Sequence, residues 1–176
     1  MFINIQQLLK ETNIRKNGFD YVSLSKVVTN QNMGQDIRFS AAELREIKSL
    51  PSVEDAAPLI SNRFKVTATA GTVIPFATDI FVEALDANFI DTVPPGFSWS
   101  EGQELVPVIF SSDFLEMYNV FAPSWDLPQL SKETASTVNI FLRCVGKLGT
   151  KVFRANIVGF SDRVNSILVP TSFLEY

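Results

Sequence analysis

A chain of 176 residues with 46% hydrophobic and 19% charged residues can bury a core as one domain, or one domain with a small inserted lobe, and is too apolar for disorder. Its formal net charge of -4, with lysines and arginines scattered singly or in pairs, leaves no basic stripe to follow a phosphate backbone. The lack of histidine removes the commonest metal ligand and the imidazole base of Ser-His and Cys-His nucleophiles, and a lone cysteine excludes an intrachain disulfide.

Taken in chain order, the opening residues Met1 to Ile5 lack the basic start and cleavage site of a signal peptide. Residues Tyr21 to Val28 alternate Val22, Leu24 and Val27 with serines, which predicts a half-buried strand before a polar loop from Thr29 to Gly34. Ser40 and Glu43 form a capping box, Phe39 is placed to staple to Leu44, and Leu44, Ile47 and Leu50 recur at helical spacing until Pro51. A helix is therefore expected from Ala41 to Leu50. Val53 to Ile60 and Phe64 to Ala70 read as strands that pair across Ser61, Asn62 and Arg63, and Gly71 breaks the run.

Asp79 to Leu85 predicts a further strand, Asp86 to Asp91 a helical turn, and Val93 to Phe97 a proline-bounded loop. Two stretches share a form in which an apolar strand runs into a Ser/Thr-capped helix: Val106 to Phe110 before Ser111 to Tyr118, and Ile167 to Pro170 before Thr171 to Tyr176. Their likeness suggests an internal repeat, with chance similarity as the competing explanation. Between them, Phe121 to Leu130 reads as an ordered loop and Ser131 to Ala135 as a helical turn. Thr137 to Val145 and Lys151 to Phe160 alternate around Gly146 and Gly149 as a β-hairpin, with Cys144 a small buried hydrophobe. The last helix stops at Tyr176 inside its second turn, from which a longer parent chain is expected.

No apolar run reaches the roughly 18 to 20 residues that span a bilayer, the densest being Leu105 to Phe110. Asp79, Glu83, Asp86 and Asp91 lie close in sequence, as carboxylate chemistry would require, but match no calcium loop; solvated strand ends explain them better. Serines and lysines occur without a nucleophile motif, and the turn glycines Gly146 and Gly149 are no phosphate cradle. No catalytic residue, cofactor or metal ligand is expected. Phe97 and Trp99 beside one proline loop, and Phe121 and Trp125 in another, are the candidate partner-contact residues, against the simpler reading that both loops fold back over satellite cores.

Phe39 to Val53 before Ala57 and Pro58, Phe81 to Phe89, Leu105 to Phe114 continuing through Tyr118, Ile157 to Arg163 and Ile167 to Pro170 form an ordered set. That set resembles the extracytoplasmic domain of FtsX-like or MacB-like ABC transporter permeases. The resemblance implies an α+β fold with a porter-like mixed α/β lobe over about residues 21–118 and 161–176 and an inserted β-rich lobe over about 119–160. It further implies a periplasmic domain, anchored in the inner membrane by transmembrane helices outside this segment, that works without a chemical step. A separate ATPase subunit, an envelope protein and a second copy in a homodimer are its implied partners. A stand-alone interaction or ligand-binding module is the alternative, and a carboxylate-dependent enzyme the more distant one.

Overall fold

The computed structural model describes residues 22–35, 37–71, 74–90, 92–147 and 149–176. The chain divides into two compact units, Met1–Glu54 and Asp55–Tyr176. Tyr21 and Asp91 lie outside the described residues, as does the opening at Met1 to Ile5.

In the first unit, the capping box forms as its residue types require. The Ser40 hydroxyl accepts from the Glu43 amide and the Glu43 carboxylate accepts from the Ser40 amide, at the start of helix α1, Ala41–Lys48. Lys26 closes the same end through a 2.7 Å ion pair to Glu43, with its ammonium over the Phe39 ring. These three interactions hold the Glu43 carboxyl down to about 2. The strand expected at 22–28 is absent: the segment is irregular, and Val22, Leu24 and Val27 are exposed. Alternation supplies a face but no partner, and no neighbouring strand accepts it.

The second unit is a mixed sheet of eight strands among the described residues, with short helices, so the fold is α+β. The strands are β1 Ile60–Ser61, β2 Lys65–Ala70, β3 Ile74–Ile80, β4 Val82–Ala84, β5 Leu105–Ser111, β6 Ile140–Gly146, β7 Gly149–Ser161 and β8 Ile167–Leu168. Their order is β1-β4-β8-β5-β7-β6-β2-β3, with β5 parallel to β7 and β4 parallel to β8. Helix α2, Ser112–Phe121, follows β5; α3, Lys132–Ala135, precedes β6; and α4, Thr171–Glu175, follows β8.

The β6–β7 hairpin forms as its alternation and turn glycines predict, rejoining at Gly146 and Gly149, the latter at φ +122°. Both its strands also pair outward, β6 with β2 and β7 with β5, so residues of the 119–160 segment run in one sheet with those before and after it. Val66, Ala68, Leu142, Cys144, Ala155 and Ile157 point from alternate positions into the main core, where Val106, Val108 and Phe173 meet them. Each fully buried side chain of this kind contributes about 1.5–3 kcal/mol relative to exposure. Burial pushes the Cys144 thiol up to about 11, as expected of a packing residue.

Two pairing expectations and one capping expectation need correction. Val53 to Ile60 yields only the tip of β1, and β1 pairs with β4 rather than with β2. Asp79 to Leu85 is two strands, not one: β3 pairs with β2 at one end of the order, β4 lies beside β8 near the other, and only the exposed Phe81 separates them. A single residue spans at most about 7 Å between its neighbours, so the two ends of the order come close and the sheet curls back on itself. Asn62 ties the end of β1 to β4: its backbone N–H donates to the Val82 carbonyl and its side-chain oxygen accepts from the Val82 amide, both at 3.0 Å, while its side-chain amide donates to the Phe64 carbonyl just before β2. Finally, α4 has no side-chain cap: Pro170 occupies the cap position, and the Ser172 hydroxyl donates instead to the Trp99 carbonyl. The strand-then-helix form expected at both places is present, and the two strands concerned, β5 and β8, are antiparallel neighbours.

Candidate functional site

The four aromatic candidates separate into two kinds. Trp99 is a core residue, 4% exposed, set edge-on to Phe153 and Phe173 with its indole N–H donating to the Gln103 carbonyl. Phe97 packs on a second small core of Ile90, Ile109 and Leu168. Both therefore pack inside the unit, where the loop after Pro94 lies against the sheet. Gly159 marks the closeness of that return: a Cβ there would meet the Pro94 Cγ at 2.8 Å. The approach falls beside the β-bulge that shifts the β5–β7 register between Val108 and Ile109.

Phe121 and Trp125 remain at the surface. Helix α2 begins where the buried Ser111 hydroxyl accepts from the Asp113 amide, and it runs directly into a 3-10 turn at Ala122–Trp125. The two rings stack at 6.0 Å, 50% and 55% exposed. The spacing extends the stripe backwards to Met117 and Val120, which are also exposed. Sequence reasoning passed over these two, because it placed Phe121 in a loop and so did not carry the helical register through to Trp125. The segment after the turn is tied down: the Tyr118 hydroxyl donates to the Pro128 carbonyl, Asn119 exchanges two hydrogen bonds with Leu130, and the Gln129 amide donates to the Asn119 carbonyl.

Among the described residues, the acidic candidates Asp79, Glu83 and Asp86 are each engaged separately. Asp79 accepts from Thr67 and pairs with Lys65 at 2.8 Å, which lowers its carboxyl. Glu83 accepts from the Ser61 and Ser166 hydroxyls, and Asp86 caps the 3-10 turn Ala87–Phe89. Among the described residues no group of three metal-ligating side chains exists.

A cluster without a sequence signal lies where α2, α3 and the end of β7 meet. The Ser112 hydroxyl donates to the Asp162 carboxylate and accepts from the Lys132 ammonium at 3.0 Å, and Lys132 approaches Asp162 at 3.6 Å over the Phe160 ring. A Ser-Lys nucleophile needs the amine to accept the hydroxyl proton; here the hydroxyl proton is directed to the carboxylate and the ammonium donates. The cluster as placed is a polar tie across three elements. An open cleft of about 460 Å³ lies between the 95–107 segment and β7, lined by Pro95, Gln103, Leu105, Asn156 and Val158 among others.

Among the described residues no helix is long and apolar enough to cross a membrane. A family model described as PCD-like, a probable transporter periplasmic core domain, matches residues 22–176. Comparison with curated proteins and with solved structures yields no match.

Proposed function

The chain belongs to the family of probable transporter periplasmic core domains, and on that premise we propose that it is the extracytoplasmic domain of an FtsX-like or MacB-like ABC permease. A periplasmic transporter domain is associated with the transmembrane parts of its transporter. In this reading a separate ATPase subunit drives those parts, and the domain passes the resulting conformational change to an envelope partner or to substrate, with no chemical step of its own. The family match over residues 22–176 carries the reading.

Two features support it. The carboxylates that would serve an enzyme are occupied one by one in strand pairing and capping, and the Ser112, Lys132 and Asp162 cluster binds elements together. Within this proposal residues of about 119–160 are the β-rich part and about 21–118 with 161–176 the porter-like part. Within the second unit, strands of the two are hydrogen-bonded neighbours and would move together.

The test uses the full-length protein in intact cells with Val152→Cys, an exposed position on β7. A membrane-impermeant maleimide should label it without opening the inner membrane, while Cys144, buried and with its thiol raised to about 11, stays unlabelled. Co-purification of an ATPase subunit, with an ATP-dependent change in crosslinking to it, is the second expected result. Labelling only after the inner membrane is opened would overturn the periplasmic placement, and a complex without an ATPase would overturn the coupling.

A further inference from the structure

Among the described residues, the other exposed large apolar side chains of the second unit are Leu59, Ile60, Phe81, Val93, Leu105, Val152 and Tyr176, and exposed apolar side chains as such are ordinary on a protein surface. Along α2 they gather. Met117, Val120, Phe121 and Trp125 stand at helical spacing, 51%, 73%, 50% and 55% exposed, and form a continuous stripe of the kind that marks a contact site. The stripe is preformed: the Phe121–Trp125 stack is set by the 3-10 turn, whose Ser124 hydroxyl donates to the Phe121 carbonyl and whose Ala122 carbonyl accepts from the Leu127 amide. The Asn119 and Tyr118 bonds hold the following loop against the helix. Little torsional freedom remains for a partner to freeze out, and large aromatic anchors on a rigid support are the residues that dominate binding energy.

Charge selects the partner. From Ser112 to Ser131 the chain carries Asp113, Glu116 and Asp126 and no lysine or arginine, and Lys132, whose ammonium donates to Ser112 at the start of α2, is paired with Asp162. Asp113 and Glu116 lie at the start of the stripe and Asp126, at φ +55°, just past its end; among the described residues none of their carboxylates has a hydrogen bond or ion pair. An apolar strip with free carboxylates at both ends repels an anionic lipid surface, and a second copy brought to it face on would set like charges together.

We propose that this stripe docks a protein segment that is apolar along one side and carries Lys or Arg at both ends of that side, laid along α2. The proposal rests on the reading of the domain as one that works through contact, and it commits to the chemistry of the contact.

The experiment uses the full-length protein in its native membrane, with a photo-crosslinking phenylalanine analogue replacing Val120, the same analogue replacing Trp125, and a control replacing Val152 on β7. Irradiation should give protein adducts from the first two positions and not from the third, and the crosslinked peptide should have apolar residues flanked by Lys or Arg. The charge-reversed pair E116K and D126K should lower adduct yield roughly tenfold with an unchanged circular dichroism spectrum, because rim charges steer encounter and lost complementarity weakens the complex. Full yield with the reversed charges, an adduct to lipid, to a second copy or to a segment without basic residues, or no adduct at all would each overturn the proposal. The Val152→Cys labelling reports on the periplasmic reading separately, so failure of the one is told apart from failure of the other.

Discussion

Gly159→Ala probes the glycine with the least room for a side chain among those described. Its added methyl would stand 2.8 Å from the Pro94 Cγ, and 3.9 Å from both the Pro94 Cβ and the Ile109 Cγ1. Ordinary carbon contact begins at about 3.5 Å, so one atom overlaps and the others do not. Pro94 is a closed ring and cannot swing aside as a long side chain would, leaving the 93–97 loop to lift or β7 to withdraw. Such overpacking costs about 1–3 kcal/mol. The loss of backbone freedom in the unfolded chain offsets about 0.4–1 kcal/mol of that. A net destabilisation of about 1–2 kcal/mol follows, equivalent to a fall in Tm of about 3–6 °C for a chain of this size. Urea unfolding of the parent, Gly159→Ala, Pro94→Ala and the double variant supplies the double-mutant cycle. The double variant should recover most of the Gly159→Ala loss, because removing the ring removes the overlap. Full stability in Gly159→Ala, or strict additivity in the cycle, would refute the placement of the loop against β7.

Asn62→Ala keeps the backbone N–H bond to the Val82 carbonyl but removes the side-chain oxygen that accepts from the Val82 amide and the side-chain amide that donates to the Phe64 carbonyl; a loss of about 1–3 kcal/mol is expected in the same unfolding assay. The capping box gives a pH dependence whose sign follows from the Glu43 carboxyl, lowered on folding from 4.5 to about 2. Its contribution to α1 is complete above 4.5 and is lost as pH falls through about 2, so carboxyl resonances of Glu43 should titrate near 2 in the parent and move upward in Lys26→Ala or Ser40→Ala.

The parts of this fold that depend on near neighbours were legible. Ser40 and Glu43 are three residues apart and their bonds form in any chain that turns there, and the β6–β7 hairpin is closed by its own glycines. Pairing between distant segments was not. Nothing local in Asp79 to Leu85 says that its halves serve different ends of a curled sheet, and the alternation of Val22, Leu24 and Val27 has no strand to meet. The candidate site divided on the same line. That the loop of Trp99 returns to the core depends on Phe153 and Phe173, more than fifty residues later, whereas the exposure of Phe121 and Trp125 is set within α2 and its adjoining turn.

The strand β8, two residues long, is the hydrogen-bonded link between β4 with β1 and the rest of the sheet. Its residues are 167 and 168, so while the chain is being made or threaded across a membrane, β1 and β4 must wait for more than eighty later residues before their place beside β5 exists. Closure of the β4–β8–β5 neighbourhood therefore rests on contacts far apart in sequence, the kind whose loop-closure entropy slows folding.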